Sequence, residues 1–121
     1  MMSIIKGLED LRERALTLIP LAERTASGEG DPIDVHEWRE ITLYLNVTAA
    51  SAATGSPTLD VKILSSPDGE TWYELDAFPQ MTATGTQVKQ LEKFGWYLKI
   101  RYVIGGDTPS VTFEVKAVFK K

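Results

Sequence analysis

The sequence predicts an all-β protein: a two-sheet antiparallel β-sandwich, immunoglobulin-like or jelly-roll, with a short N-terminal helix and arm. Three observations carry this expectation. Several segments alternate aliphatic and polar residues with period two, the mark of strands that bury one face. Turn-forming groups, Ser66-Pro67-Asp68-Gly69 and Gly105-Gly106-Asp107-Thr108-Pro109, punctuate those segments. The chain has 121 residues and no cysteine, which fits one domain that folds without covalent staples. Strands with a single apolar face cannot hide it alone, so they must pair face to face or close on themselves.

The elements follow in order. Ile4, Ile5, Leu8, Leu11 and Ala15 recur at three- and four-residue steps after Ser3, a helix-capping residue type, and predict a short amphipathic helix. Such a helix is too short to be stable without something to dock on. The period then changes. Ala15 to Ala22 reads as a strand, and Pro20, which cannot donate to a ladder, makes it an edge strand or a lapping arm. Residues 25–32 form a loop by composition, and Ile33 and Val35 begin a short strand leading to Trp38. This divides the chain into a helix and extended arm over 1–32 and a sandwich over 33–121.

Within the sandwich, Ile41, Leu43, Leu45 and Val47 alternate with polar residues or tyrosine. Leu59, Val61 and Ile63 do the same, as do Leu98, Ile100, Tyr102 and Ile104, and Val111, Phe113, Val115, Ala117 and Phe119. Lesser strands are expected over 71–75 and 87–91. The longer connections at 49–58 and 76–86 suit crossings between sheets, and the group around Gly105 is read as closing a hairpin. Ser56-Pro57-Thr58-Leu59-Asp60-Val61-Lys62 also echoes Thr108 to Lys116, each following a long alternating strand.

Composition excludes several function classes. The net charge is −4, and all of the imbalance falls in residues 1–40, which hold five basic and nine acidic side chains. Nucleic-acid binding needs a basic footprint, and none is visible. Charged residues interrupt every apolar run well short of the ~18 residues of a membrane span, and Lys6, Glu9 and Asp10 break up any signal-peptide core. The single histidine, His36, lies near Asp34 and Glu37, but no spacing here assembles a metal site or an activated nucleophile. The pairs Asp31/Asp34, Glu37/Glu40 and Asp68/Glu70 sit in turns and read as solvated charges. Gly28-Glu29-Gly30 lacks the residues of a phosphate loop. The expected catalytic, metal and cofactor sets are therefore empty. Tyr44, Trp96 and Tyr97 are the aromatics that a sugar-binding platform would use, the alternative reading of the chain.

Ser66-Pro67-Asp68-Gly69-Glu70-Thr71-Trp72 resembles the Asp-box hairpin of sialidase-like propellers, Ser-x-Asp-x-Gly-x-Thr-Trp, with one residue missing before the glycine. A propeller needs several copies, so the likeness is to a turn. A broader resemblance runs over residues 15–121. Thr25 to Gly30, Ile41 to Ser51 (ITLYLNVTAAS), Ser56 to Ser65 (SPTLDVKILS), Ser66 to Trp72 and Trp96 to Ala117 (WYLKIRYVIGGDTPSVTFEVKA) together resemble small β-sandwich structural proteins of tailed bacteriophages. That resemblance carries no active site. It implies a virion component assembled in the host cytoplasm: a head decoration protein, or a tail or neck component. It implies as partners the major capsid protein and further copies of the chain in a cyclic oligomer such as a trimer. Ile4, Ile5, Leu8, Leu11, Leu18 and Pro20 are the candidate interface residues, because they form the apolar stripe and edge of the arm.

Overall fold

A computed structural model of the chain describes residues 13–121, which form nine strands and no helix. In chain order they are β1 (Glu13–Arg24), β2 (Gly28–Glu29), β3 (Ile33–Asp34), β4 (Glu40–Ser51), β5 (Thr54–Ser66), β6 (Tyr73–Ala77), β7 (Gly85–Leu91), β8 (Tyr97–Asp107) and β9 (Ser110–Lys120). Sheet I runs β1-β9-β4-β7 in space; sheet II runs β2-β8-β5-β6, with β3 also alongside β8. Every pairing is antiparallel.

The alternation read from the sequence is what closes the sandwich. Ile41, Leu43, Leu45 and Val47 of β4 lie opposite Phe119, Ala117, Val115 and Phe113 of β9, and all eight are buried. Sheet II contributes Leu59, Val61 and Ile63 from β5 and Leu98 and Ile100 from β8 to the same core. Each such aliphatic contributes about 1.5–3 kcal/mol relative to leaving it in water.

Strands change sheet at six of the eight connections. Gly105 to Pro109 therefore does not close a hairpin: β8 belongs to sheet II and β9 to sheet I, so this segment is a corner between sheets. The connection expected over 49–58 is strand over most of its length, since β4 ends at Ser51 and β5 begins at Thr54. These two corners lie side by side. The Ala53 amide donates to the Asp107 carbonyl at 2.8 Å, and the Thr54 hydroxyl donates to the Asp107 carboxylate at 2.8 Å. That adjacency gives the sequence echo a physical basis, because both segments leave one sheet at a corner and enter the other. Thr108 adopts a φ of 50° there, a left-handed conformation unfavourable for a β-branched residue and held by the corner.

The N-terminal region differs more from expectation. The helix read over Ile4, Ile5, Leu8, Leu11 and Ala15 lies outside the described residues, except Ala15, which sits in β1. β1 is an edge strand of sheet I, and its ladder with β9 breaks twice, around Leu18 and around Pro20 and Leu21. The second irregularity accommodates the proline, whose missing amide hydrogen removes no ladder bond there. Arg24 stitches it down. Its guanidinium donates to the Pro20 and Ala22 carbonyls at 3.0 and 3.2 Å and to the Tyr102 hydroxyl at 3.2 Å, and lies over the Tyr102 and Phe113 rings. The segment 25–32 is not wholly loop, because Gly28 and Glu29 pair with Tyr102 and Arg101 of β8.

Candidate interaction surface

The sequence-derived interface residues divide three ways. Leu18 is half-buried and packs against the core; Pro20 is exposed at the irregular edge of β1; Ile4, Ile5, Leu8 and Leu11 lie outside the described residues. What surrounds β1 is the outer face of sheet I. Because Ile41, Leu43 and Leu45 point inward, Thr42 and Tyr44 point out, and the register places Gln90 and Val88 of β7 beside them. From the other side, β9 brings Val118 and Lys116, and β1 brings Ala15 and Thr17. Two outward rows result: Ala15-Val118-Thr42-Gln90 and Thr17-Lys116-Tyr44-Val88. Val88 is 61% exposed and Tyr44 42%, high values for large apolar side chains. A shallow depression of about 340 Å³ lies between β1 and β4, lined by Ala15, Thr17, Tyr44, Lys116 and Val118.

Sheet II presents a different exterior. Glu29 of β2 receives the Lys99 ammonium at 3.0 Å and the Arg101 guanidinium at 2.7 Å. Hydrogen bonds from Lys99 and then Arg101 hold the Glu29 carboxyl below its ordinary range. The Lys99 ammonium lies 4.5 Å from the centre of the Trp72 ring, and Leu64, opposite Lys99 in the register, is buried outside the main core. Lys62 reaches Glu74 at 3.6 Å.

Trp72 is delivered by the Asp-box-like turn. The Asp68 carboxylate accepts from the Glu70 and Thr71 amides at 2.8 and 2.9 Å, and the Ser66 hydroxyl accepts from the Gly69 amide at 2.8 Å. Gly69 takes a φ of +83°, which favours glycine. The Thr71 and Glu70 amides, with the Ser66 hydroxyl, hold the Asp68 carboxyl below its usual value. These polar atoms are consumed in shaping a turn.

His36 stands in the β3–β4 connection. Its Nδ1 meets the Asp34 carboxylate at 2.5 Å, and its ring lies 5.3 Å from that of Trp96, an indole 61% exposed. Hydrogen bonding to Asp34 raises the His36 pKa, and the same bond lowers that of Asp34. Glu37 turns away to Lys121, 3.4 Å off. No group of three or more histidine or carboxylate side chains converges as a metal site among the described residues. The sugar-platform aromatics are not brought together: Tyr44 faces out from sheet I, Tyr97 belongs to sheet II, and Trp96 lies beside His36 in the β7–β8 connection.

Exposed Val88, half-buried Val118, and the exposed Tyr73, Leu75 and Val103 of sheet II are surface residues that sequence reasoning passes over. Val118 was visible as the odd member of an otherwise polar outward series in β9, and Val88 as the apolar centre of Thr86-Gln87-Val88-Lys89-Gln90.

No protein-family profile matches the chain, and no curated protein matches it in sequence. Solved structures do share its fold. The SPBc2 prophage-derived protein YomS superposes with a TM-score of 0.54 at 17% identity, over 90% of this chain and 93% of that one. A protein of the disulfide-linked pili of Bacillus endospore appendages superposes at 0.55, with 8% identity over 90% and 86% of the two chains. The PBSX exported protein XepA reaches 0.64 at 14% identity over 88% of this chain, which spans 37% of XepA. At these identities the likeness establishes the all-β fold, a fold shared with phage-derived proteins.

Proposed function

We propose that this chain is a non-enzymatic structural protein of a bacteriophage particle: a decoration protein of the head that binds the major capsid protein and further copies of itself. The observation that carries the reading is the pairing of fold and surface. The interior is filled by side chains from both sheets, the polar clusters are engaged in turns and ion pairs, and large apolar side chains are left exposed outside, among them Tyr44 and Val88 on sheet I and Tyr73, Leu75 and Val103 on sheet II. A rigid small sandwich with a sticky surface suits a lattice component better than a catalyst. The fold shared with prophage-derived YomS and with PBSX XepA supports a phage setting, as does the sequence resemblance to virion proteins.

The test is mass spectrometry of purified particles from a host producing this chain, with heads and tails separated. Peptides of this chain at a fixed ratio to the major capsid protein in the head fraction are expected. Their confinement to the tail fraction would move the protein to the tail or neck, and their absence from particles would overturn the virion reading. A second reading, a sugar-binding module, draws on the exposed Trp96 indole beside His36 and Asp34. Affinity electrophoresis against polysaccharide gels tests it: retardation that disappears in Trp96→Ala would favour it over a head protein.

A further inference from the structure

We infer that β7 is the self-association edge of this protein: two copies meet antiparallel along Gly85–Leu91, about a two-fold axis at Val88, and join their sheets I into one continuous sheet. This rests on the structural-protein reading above and names the surface of its self-contact. Among the described residues the other edges are guarded against strand addition. β1 carries Pro20 and two ladder breaks. β2 and β3 are two residues each, separated by Gly30-Asp31-Pro32. β6 has five residues, its ladder skips Leu75, and the Asp76 carboxylate takes the Ala77 amide at 2.8 Å. β7 has none of these features: its seven residues pair with β4 without a shift and include no proline.

The occupant is a second copy because β7 is complementary to itself. A two-fold axis at Val88 sets Val88 against its own copy, Thr86 against Gln90, and Gln87 against Lys89. The outer row of the junction is then an exposed valine pair flanked by neutral polar pairs. The inner row meets an unfilled need. Gln87 and Lys89 lie opposite the core-facing Leu45 and Leu43 of β4, so they point inward. The Gln87 side-chain oxygen is buried and has no donor within the chain among the described residues, and a buried acceptor left unpaired is costly. The second copy brings the Lys89 ammonium to that position, and the symmetry supplies the bond twice. An inward lysine on an edge strand is ordinarily a guard itself. Here its charge is already met by Asp76 of β6 at 3.3 Å, and the residue it would face is an acceptor. The same operation at the middle of β6 sets Glu74 against Asp76, two like charges directly opposed.

The contact is small. Seven residues a side place it among interfaces below ~1,200 Å² in total, where main-chain hydrogen bonds along the added strand give the affinity. An isologous contact of this kind closes on two copies. Association in solution therefore rises with concentration, and it becomes strong where a lattice holds many copies at once.

The chain has no cysteine, so designed pairs report cleanly. Opposed residues of an antiparallel ladder have Cα atoms ~4.5 or ~5.5 Å apart, both within the ~4.4–6.8 Å that a disulfide spans. Purified Thr86→Cys and Gln90→Cys chains, each altered at an exposed position, are mixed and mildly oxidised. They should give a mixed disulfide dimer at least tenfold more abundant than either homodimer. Mixed and self dimers in statistical proportions, an excess of either homodimer, or no disulfide dimer at all would overturn the proposal. Leu75→Cys chains that cross-link as readily as Val88→Cys chains would also overturn it, in favour of β6. The experiment needs no phage particle, so its failure leaves the virion reading to be decided by mass spectrometry of particles.

Discussion

The two outer faces of this sandwich are built on the same inner alternation, yet they end differently. On sheet II the outward positions of β5 and β8 carry Lys62, Lys99 and Arg101, and these are matched by Glu29 and Glu74 on the flanking strands. Of the apolar residues in that series, Leu64 is buried and Val103 is exposed. On sheet I the corresponding positions of β4, β7 and β9 carry Thr42, Tyr44, Val88 and Val118, with Lys116 bonded to Glu114 along one strand. Sheet II matches its central cations with carboxylates and exposes its apolar side chains toward one edge and corner, at Tyr73, Leu75 and Val103, whereas sheet I exposes Tyr44 and Val88 side by side. The difference lies in how the outward charges are matched, and it makes sheet I and sheet II separately testable.

The comparison presupposes the register, and the largest expected effect tests that. Ile100 is 1% exposed and lies opposite Ile63 in the core. A one-residue slip would exchange every inner and outer side chain. Ile100→Asp buries an unpaired charge and should abolish folding, seen as loss of the β-sheet circular dichroism signal and of a cooperative melt. A soluble variant melting with the parent would mean that the faces have been assigned the wrong way round.

Much of this was legible in advance because period two is a local signal. Alternation names the inward residues of β4, β5, β8 and β9, which make up most of the core; Tyr102 and Ile104 are only partly buried, and Ile19, Val35, Trp38, Phe78 and Leu91 complete it from outside those strands. The partners of each strand were not legible. That β8 and β9 part into different sheets at Asp107 depends on long-range pairing with β5 and β4, which no turn sequence encodes. A corner between sheets and a hairpin use the same residues. β2 was missed because two residues carry no periodicity; Gly28 and Glu29 are strand only through Tyr102 and Arg101 opposite. The apolar strip on sheet I was half-legible. Tyr44 stood out as an outward aromatic, but its adjacency to Val88 and Val118 is a product of register.

The next effect sharpens the comparison itself. Lys99→Ala removes the ion pair with Glu29 and the stacking on Trp72. It should cost about 1–2 kcal/mol in denaturant unfolding, less at high salt, and leave association unchanged. Val88→Lys alters an open site and should shift stability by no more than about 0.5 kcal/mol, yet lower the apparent mass in sedimentation. The reverse pattern, with sheet I setting stability and sheet II setting association, would invert the argument.

The smallest effect belongs to neither face and serves as a control on both. His36 and Asp34 form an exposed pair at one end of the sandwich. The His36 pKa is raised above 6.5, chiefly by its hydrogen bond to Asp34, so its contribution to stability is full below 6.5 and is lost as pH rises through the folded value. The Asp34 pKa is lowered below 3.8 by the same contact, so its contribution is present above 3.8 and is lost as pH falls through the folded value. The pair is therefore effective in mildly acidic solution. An NMR titration of the single histidine should place its midpoint above 6.5, and Asp34→Asn should bring that midpoint down. An unshifted midpoint would show that the pair is not formed in solution. Association through sheet I, which involves neither group, should not follow this titration, whereas an oligomer that dissociated along it would place the self-contact at the His36 end instead.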